Sequence, residues 1–191
     1  MFSHSRITTY SEMAPDGHAD AARIADYFQD CSYFQSESLG GGFDVLREKS
    51  LAWLLASWQI EITRYPSAGE KLTVSTWPYK FDRVFGYRNF DIKDSSGNRI
   101  ASANSYWFLI NTDTGHPVPL TPDITDIYEL SEKADMTYLS RKVKLTGQLS
   151  DMEPFRVTRA YIDMNNHVNN AWYIRAGLEY KGMLEEIAAA K

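Results

Sequence analysis

The chain has 191 residues, 43% hydrophobic and 24% charged, enough for one large domain or two small ones around a real core. A formal net charge of -5 and a pI near 5.4 argue against a general nucleic-acid or anionic-membrane binder and leave room only for local basic patches. The single cysteine, Cys31, excludes an intrachain disulfide framework or cysteine metal cluster and suits a reducing compartment. The N-terminus "MFSHSRITTYSEM" lacks the apolar run of a signal peptide, and no apolar stretch of about 18 residues occurs, so we expect a soluble, cytoplasmic protein without membrane insertion.

In chain order, "DGHADAARIADYFQDCSYFQSESLG" places Ala22, Ile24, Ala25, Phe28, Cys31 and Leu39 at roughly helical spacing. Asp16 or Asp20 is available as N-cap and Gly40 to Gly42 as terminator, which predicts a long helix apolar enough to be wrapped. The runs "LAWLLASWQIEITRY", "EKLTVSTWPYKF", "RVFGYRNFDIKD" and "RIASANSYWFLIN" are rich in Trp, Tyr, Phe, Val, Ile and Thr and read as strands. "YPSAGE" and "DSSGN" separate the first and last pairs, each with a glycine suited to a hairpin, so we expect a meander of about four antiparallel strands. "LGGGFD" has neither the preceding strand nor the Lys of a phosphate loop and reads as a flexible helix end. A helical turn is expected at 121–128, a polar linker at 129–152, a strand over "FRVTRAYID", and a helix from about Val168 to the end, with Trp172, Ile174, Leu178, Met183 and Leu184 as apolar positions.

A helix wrapped by a curved antiparallel sheet is the layout of a hot-dog fold, of the α+β class. Residues 1–128 fit a complete unit, whereas 153–191 supply only a first strand and a central helix. Strands to cover that helix would have to come from a longer chain or from a second copy in a homodimer. A fragment or truncated form is the expectation, with an unburied helical face forfeiting roughly 25 cal/mol per Å2.

Chemistry concentrates in "YIDMNNHVNNAWYIR". If that segment is extended, Asp163, Asn165 and His167 share one face. Behind them the first turn of the last helix offers free backbone N–H groups and a dipole that stabilise a developing oxyanion. An imidazole beside a carboxylate can orient or deprotonate water. The alternative reading is that Asp and Asn here are ordinary turn and cap residues.

"DMNNHVNNAWYI" resembles the "D-x-N-x-H-V-N-N-x-x-Y-I" signature of the acyl-acyl carrier protein (acyl-ACP) thioesterases of plant plastids and bacteria. "FGYRNFDIKDSSGNRIASANSYWFLINTDT" and "WQIEITRYPSAGEKLTVSTWP" are similar to two further segments of that family, so the likeness runs from about Arg6 to Tyr180. The resemblance implies a double hot-dog hydrolase that cleaves fatty acyl-ACP to free fatty acid and carrier protein in fatty acid biosynthesis, with no cofactor and no metal. It implies a catalytic face of Asp163, Asn165 and His167, with His167 holding or deprotonating water, Asn165 fixing a hydrogen bond and Asp163 orienting the network. The Val168 and Asn169 amides are the expected oxyanion donors, while Asn170 and Tyr173 cap and pack the helix. A further acidic or cysteine residue, which the family takes from a later strand, has no match here. Readings kept open are therefore an acyl-CoA thioesterase and a non-catalytic acyl-binding protein.

The first unit is implied to house the acyl chain, with Phe28, Phe34, Trp53 and Trp58 as candidate lining residues, against plain core packing as the alternative. The acyl carrier protein is acidic, so a basic partner surface is expected. Arg141, Lys142 and Lys144 are candidates, as are Lys80, Arg83 and Arg88. Cys31 reads as a buried structural thiol, and His4, His18 and His116 lack metal-ligand spacing.

Overall fold

The computed structural model describes residues 1–142, 144, 151 and 153–189, with backbone alone from 182 onward. The chain divides into two compact units, Met1–Arg141 and Lys142–Lys191.

In the first unit, strand β1 (Phe2–Ile7) leads through a 3-10 turn, Tyr10–Glu12, into helix α1 (Ala21–Ser38). The Asp20 carboxylate caps α1 by accepting the Arg23 N–H at 2.7 Å, whereas Asp16 accepts the His18 N–H in the preceding loop. Positions 24, 27, 28, 31 and 35 repeat every three to four residues and put Ile24, Tyr27, Phe28, Cys31 and Gln35 on one buried stripe. Leu39, expected on that stripe, lies past the helix end and is exposed. Gly40, with φ +72°, turns the chain, and the Gly41 N–H closes on the Ser36 carbonyl. The next residues form a short helix, α2 (Phe43–Glu48), rather than a flexible end, and the Glu37 carboxylate accepts the Phe43 N–H at its start.

Four long strands follow: β2 (Leu51–Ile62), β3 (Lys71–Phe81), β4 (Phe85–Asp94) and β5 (Arg99–Asn111). A two-residue β6 (Pro117–Val118) and the short helix α3 (Pro122–Thr125) complete the unit's elements. The sheet order is β1-β3-β4-β5-β2, with β6 on the end of β5. Strands β3, β4 and β5 form the expected meander, and "DSSGN" makes a hairpin in which Gly97 takes φ +83°. The predicted hairpin at "YPSAGE" is corrected: β2 pairs with β5, and the segment is a crossover. Its polar groups are taken by the N-terminal region, with the Gly69 N–H bonded to Thr8 O, the Ala19 N–H to Pro66 O and the Thr8 hydroxyl to Ser67 O. β1, not expected from sequence, pairs with β3 on the side a hairpin would have given to β2.

The core lies between α1 and one face of the sheet. Phe28, Phe90 and Trp58 form a ring cluster with centroids 5.1 to 6.0 Å apart, walled by Leu72, Val74, Ile92 and Ala103. A register shift between Leu55 and Ser57 inserts Ala56 into β2, so Trp53 and Leu55 keep the same face as Trp58, Ile60 and Ile62. Trp53 thereby joins a second cluster with Leu46, Leu109 and Ile124. A single helix wrapped by an antiparallel sheet is the hot-dog fold.

The chain from 129 to 141, read as linker, lies on the opposite face of the sheet. The Trp77 indole N–H donates to Glu132 O at 2.7 Å. The buried Asn89 side-chain oxygen, Oδ1, accepts from the Ala134 N–H and the Tyr138 hydroxyl, and the Gln59 Oε1 accepts the Leu139 N–H. These bonds explain why the compact unit ends at Arg141.

In the second unit, "FRVTRAYID" is not a strand but an open segment ending in a 3-10 turn, Arg159–Tyr161. Among the described residues of this unit there is no strand for it to pair with, and an unpaired strand leaves its backbone groups unsatisfied. Its aromatics pack locally, Phe155 on Tyr161 at 5.4 Å and Tyr161 on Trp172 at 4.0 Å. Helix α4 (Asn170–Ala189) follows.

Candidate active site

Residues 162–169 form a closed loop at the entrance to α4, which corrects the extended segment read from alternation. The Asp163 N–H donates to His167 O at 2.8 Å and the Asn166 N–H to Asp163 O at 3.0 Å. Ile162 bridges Val168 across the neck of the loop. Asn166 takes φ +60°, a region its short polar side chain tolerates better than most. The loop therefore closes through the sequence D-x-N-N-H itself.

Closure gives each motif residue a distinct setting. One oxygen of the Asp163 carboxylate, Oδ1, accepts the Asn165 N–H at 2.9 Å and the His167 N–H at 3.3 Å, which turns it onto the loop backbone. Its charge thus holds the peptide that carries His167, while Oδ2 has no partner among the described residues. His167 is exposed and Asn165 half-buried. Asn169 is the helix cap, its carboxamide oxygen accepting the Ala171 N–H at 2.8 Å. The Asn169 N–H is already bonded to Tyr161 O at 2.8 Å, so of the two amides expected as oxyanion donors, only that of Val168 is uncommitted among the described residues. Sequence spacing missed Tyr161, whose carbonyl commits that amide and whose ring seats Trp172. Tyr173 is exposed, pointing away from a packing role.

The four acyl-lining candidates do not share one place. Phe28 is fully buried and touches Trp58. Trp53 lines a cleft of about 90 Å3 bounded by Gly40, Leu46, Asp123, Ile124 and Tyr128. Phe34 is 39% exposed and packs on the His4 ring at 4.8 Å. Cys31 is buried, donates to Val74 O, and burial pushes its thiol up to about 12, which suits a core residue.

Among the basic candidates, Arg141 lies over the Phe85 ring and Lys80 over Tyr87, and both are exposed, as are Arg83, Lys142 and Lys144. The rest of the 143–150 stretch lies outside the described residues. Arg88 is corrected: it is buried against α1, bonded to Gln35 and to Thr76 Oγ1, and burial lowers its guanidinium to about 10. No partner surface can include it.

The acyl-ACP thioesterase N-terminal domain model matches residues 1–128, and the C-terminal domain model of the same family matches 145–186. Oleoyl-acyl carrier protein thioesterase 1 of Arabidopsis thaliana, a chloroplastic protein, is 29% identical over 185 residues, covering 88% of this chain and 51% of its own length. The chain spans about half the length of the curated relatives it matches. The crystal structure of an acyl-ACP thioesterase from Bacteroides thetaiotaomicron superposes with a TM-score of 0.80 at 27% identity, covering 93% of this chain and 72% of that one. The 12:0-ACP thioesterase from Umbellularia californica shares the fold at a TM-score of 0.71 and 19% identity, over 91% of this chain and 72% of the other. With both halves of its sequence matched in order, this chain belongs to the acyl-ACP thioesterase family.

Proposed function

We propose that the chain acts in hydrolysis of fatty acyl-ACP, releasing free fatty acid and carrier protein. The observation that carries this reading is the loop before α4, where a carboxylate, a carboxamide and an imidazole are gathered within five residues in a chain of this family. His167 takes a proton from water as the oxygen attacks the thioester carbonyl; the oxyanion draws on the Val168 N–H and the positive end of the α4 dipole. Collapse breaks the C–S bond, and the carrier thiolate leaves and is protonated. Asp163 keeps the His167 peptide in place, and Asn165 orients water or the thioester. Membership in a family whose relatives are named for acyl-ACP favours the carrier protein over coenzyme A as the thiol donor. The buried, unpaired Cys31 supports a reducing, cytoplasmic setting.

The test is release of free fatty acid from a panel of C8 to C18 acyl-ACP by the chain and by His167→Ala. We expect activity in the unmodified chain and a loss of roughly 10²- to 10⁴-fold in the variant. A folded chain that hydrolyses no member, or a variant of equal activity, overturns the reading.

A further inference from the structure

The outer face of the first unit's sheet carries a patch that the hydrolytic chemistry does not use. Near the β3–β4 turn the rings of Tyr79, Tyr87, Tyr106 and Tyr138 pack together, with centroids 5.1 to 5.9 Å apart along the chain Tyr106–Tyr87–Tyr79–Tyr138. Three exposed cations cover these half-buried rings and the neighbouring Phe85. Lys80 Nζ is 5.0 Å from the Tyr87 centroid, Lys133 Nζ is 4.8 Å from Tyr138 and 5.4 Å from Tyr79, and the Arg141 guanidinium is 4.5 Å from Phe85.

Elsewhere in the unit Arg47 pairs with Asp44, Lys49 with Asp123, Arg64 with Glu70 and Arg99 with Asp91, while the exposed Lys71 and Arg83 have neither an acid partner nor an aromatic ring beneath them among the described residues. Among the described residues Lys80, Lys133 and Arg141 have no such carboxylate. Asp82, whose field reaches Lys80, has its oxygens engaged by the Val84 and Phe85 N–H groups and the Tyr87 hydroxyl. A chain of net charge -5 therefore presents three positive charges without a salt-bridging carboxylate on one aromatic platform.

The geometry points to this patch as the docking surface for the carrier protein, an inference that rests on the proposed hydrolysis of acyl-ACP. An acidic partner supplies the missing carboxylates, and the rings hold the cations at fixed positions and bury the aliphatic stems of the partner's side chains. Three cations are too few for a polybasic membrane patch, and an acidic chain is a poor nucleic-acid binder.

The test measures binding of unacylated holo-carrier protein by fluorescence anisotropy at low and physiological ionic strength. The unmodified chain is compared with Lys80→Glu/Lys133→Glu/Arg141→Glu, with the same three positions changed to Gln, and with Lys71→Glu, an exposed cation at the far end of β3. We expect charge reversal to raise the dissociation constant roughly 10- to 100-fold, neutralisation to raise it less, Lys71→Glu to leave it unchanged, and salt to weaken the unmodified complex. The Gln variant guards against a reversal that disturbs folding. Equal affinity of the Gln and unmodified chains overturns the surface, as does an equal loss from Lys71→Glu. Failure of the unmodified chain to bind carrier protein also overturns it, as does a Gln-sensitive affinity for anionic vesicles or RNA in its place; hydrolysis of an acyl-pantetheine thioester, which has no protein part, then reports separately on the hydrolase reading.

Discussion

Residues 10–21 and 159–170 enter their helices by the same path, one in each unit. Each begins with a 3-10 turn, Tyr10–Glu12 or Arg159–Tyr161, and closes through a bridge, Met13 to Ala19 or Ile162 to Val168. The Ala14 N–H donates to His18 O at 2.8 Å as the Asp163 N–H donates to His167 O at 2.8 Å. Gly17 and Asn166 occupy the same left-handed position, at φ +82° and +60°. A histidine follows in both, then a capping Asp20 or Asn169. The difference is at the first loop position, where Ala14 stands against Asp163. The backbone path closes without a carboxylate there, so the Asp163 carboxylate is not needed for closure and is free to hold the His167 peptide. In the first loop Asp16, not position 14, caps the His18 N–H. His18 thus has the same backbone around it but no acid at position 14, and the proposed activity belongs to the second loop alone.

The largest effect expected from this contrast is in hydrolysis. Asp163→Ala, which gives the second loop the residue of the first, should lower fatty acid release from acyl-ACP by on the order of 10²-fold, while His18→Ala leaves it unchanged. Circular dichroism should show α4 retained in Asp163→Ala. Equal losses from both variants would mean that the loops are not specialised.

Next in size are the left-handed positions. Gly17→Ala should destabilise the first unit by about 1–2 kcal/mol, read from the urea midpoint. An added Cβ meets nothing within 4 Å there, so the cost is one of backbone conformation alone. Asn166→Gly should cost little, because glycine accepts the same φ.

The caps come third. Asp20→Ala and Asn169→Ala should each cost about 1 kcal/mol, seen as faster hydrogen exchange in the first turns of α1 and α4. The Asp20 effect should also appear in the global midpoint of the first unit, because α1 is locked in the core.

The smallest effect concerns pH. The Arg64 guanidinium, hydrogen-bonded to Glu70, holds that carboxyl below its ordinary 4.5. Its stabilisation is therefore complete above that value and is lost as pH falls through the lower folded value. Both groups are partly exposed, so the contribution should stay under about 1 kcal/mol. Urea midpoints taken at falling pH should drop less for Glu70→Gln than for the unmodified chain.

Much of this was legible in advance because it depends on short-range periodicity. The stripe from Ile24 to Cys31 is helical at any plausible packing, and the alternating aromatic and β-branched runs make strands wherever they pair. The β1 edge strand was not legible, since "FSHSRI" carries too few apolar side chains to alternate. The partner of β2 was not legible either, because a glycine-bearing turn such as "YPSAGE" suits a hairpin and a crossover equally.

In the site the same division holds. D-x-N-x-H named the residues of the proposed site but implied the wrong backbone: side-chain alternation presumes an extended chain, and the backbone bonds from the Asp163 N–H to His167 O and from the Asn166 N–H to Asp163 O close the chain into a loop.

By itself, the sequence determined the central helix, the strands of the meander, the family and the motif residues, since each is written in neighbours a few positions apart. Tertiary structure alone decided that Arg88 is buried, that the Asn169 amide is spoken for, and that Lys80, Lys133 and Arg141 meet on one aromatic face. Those facts depend on which distant segments compete for the same donor or the same ring, and residues as far apart as Tyr79 and Tyr138 become neighbours only when the chain is folded.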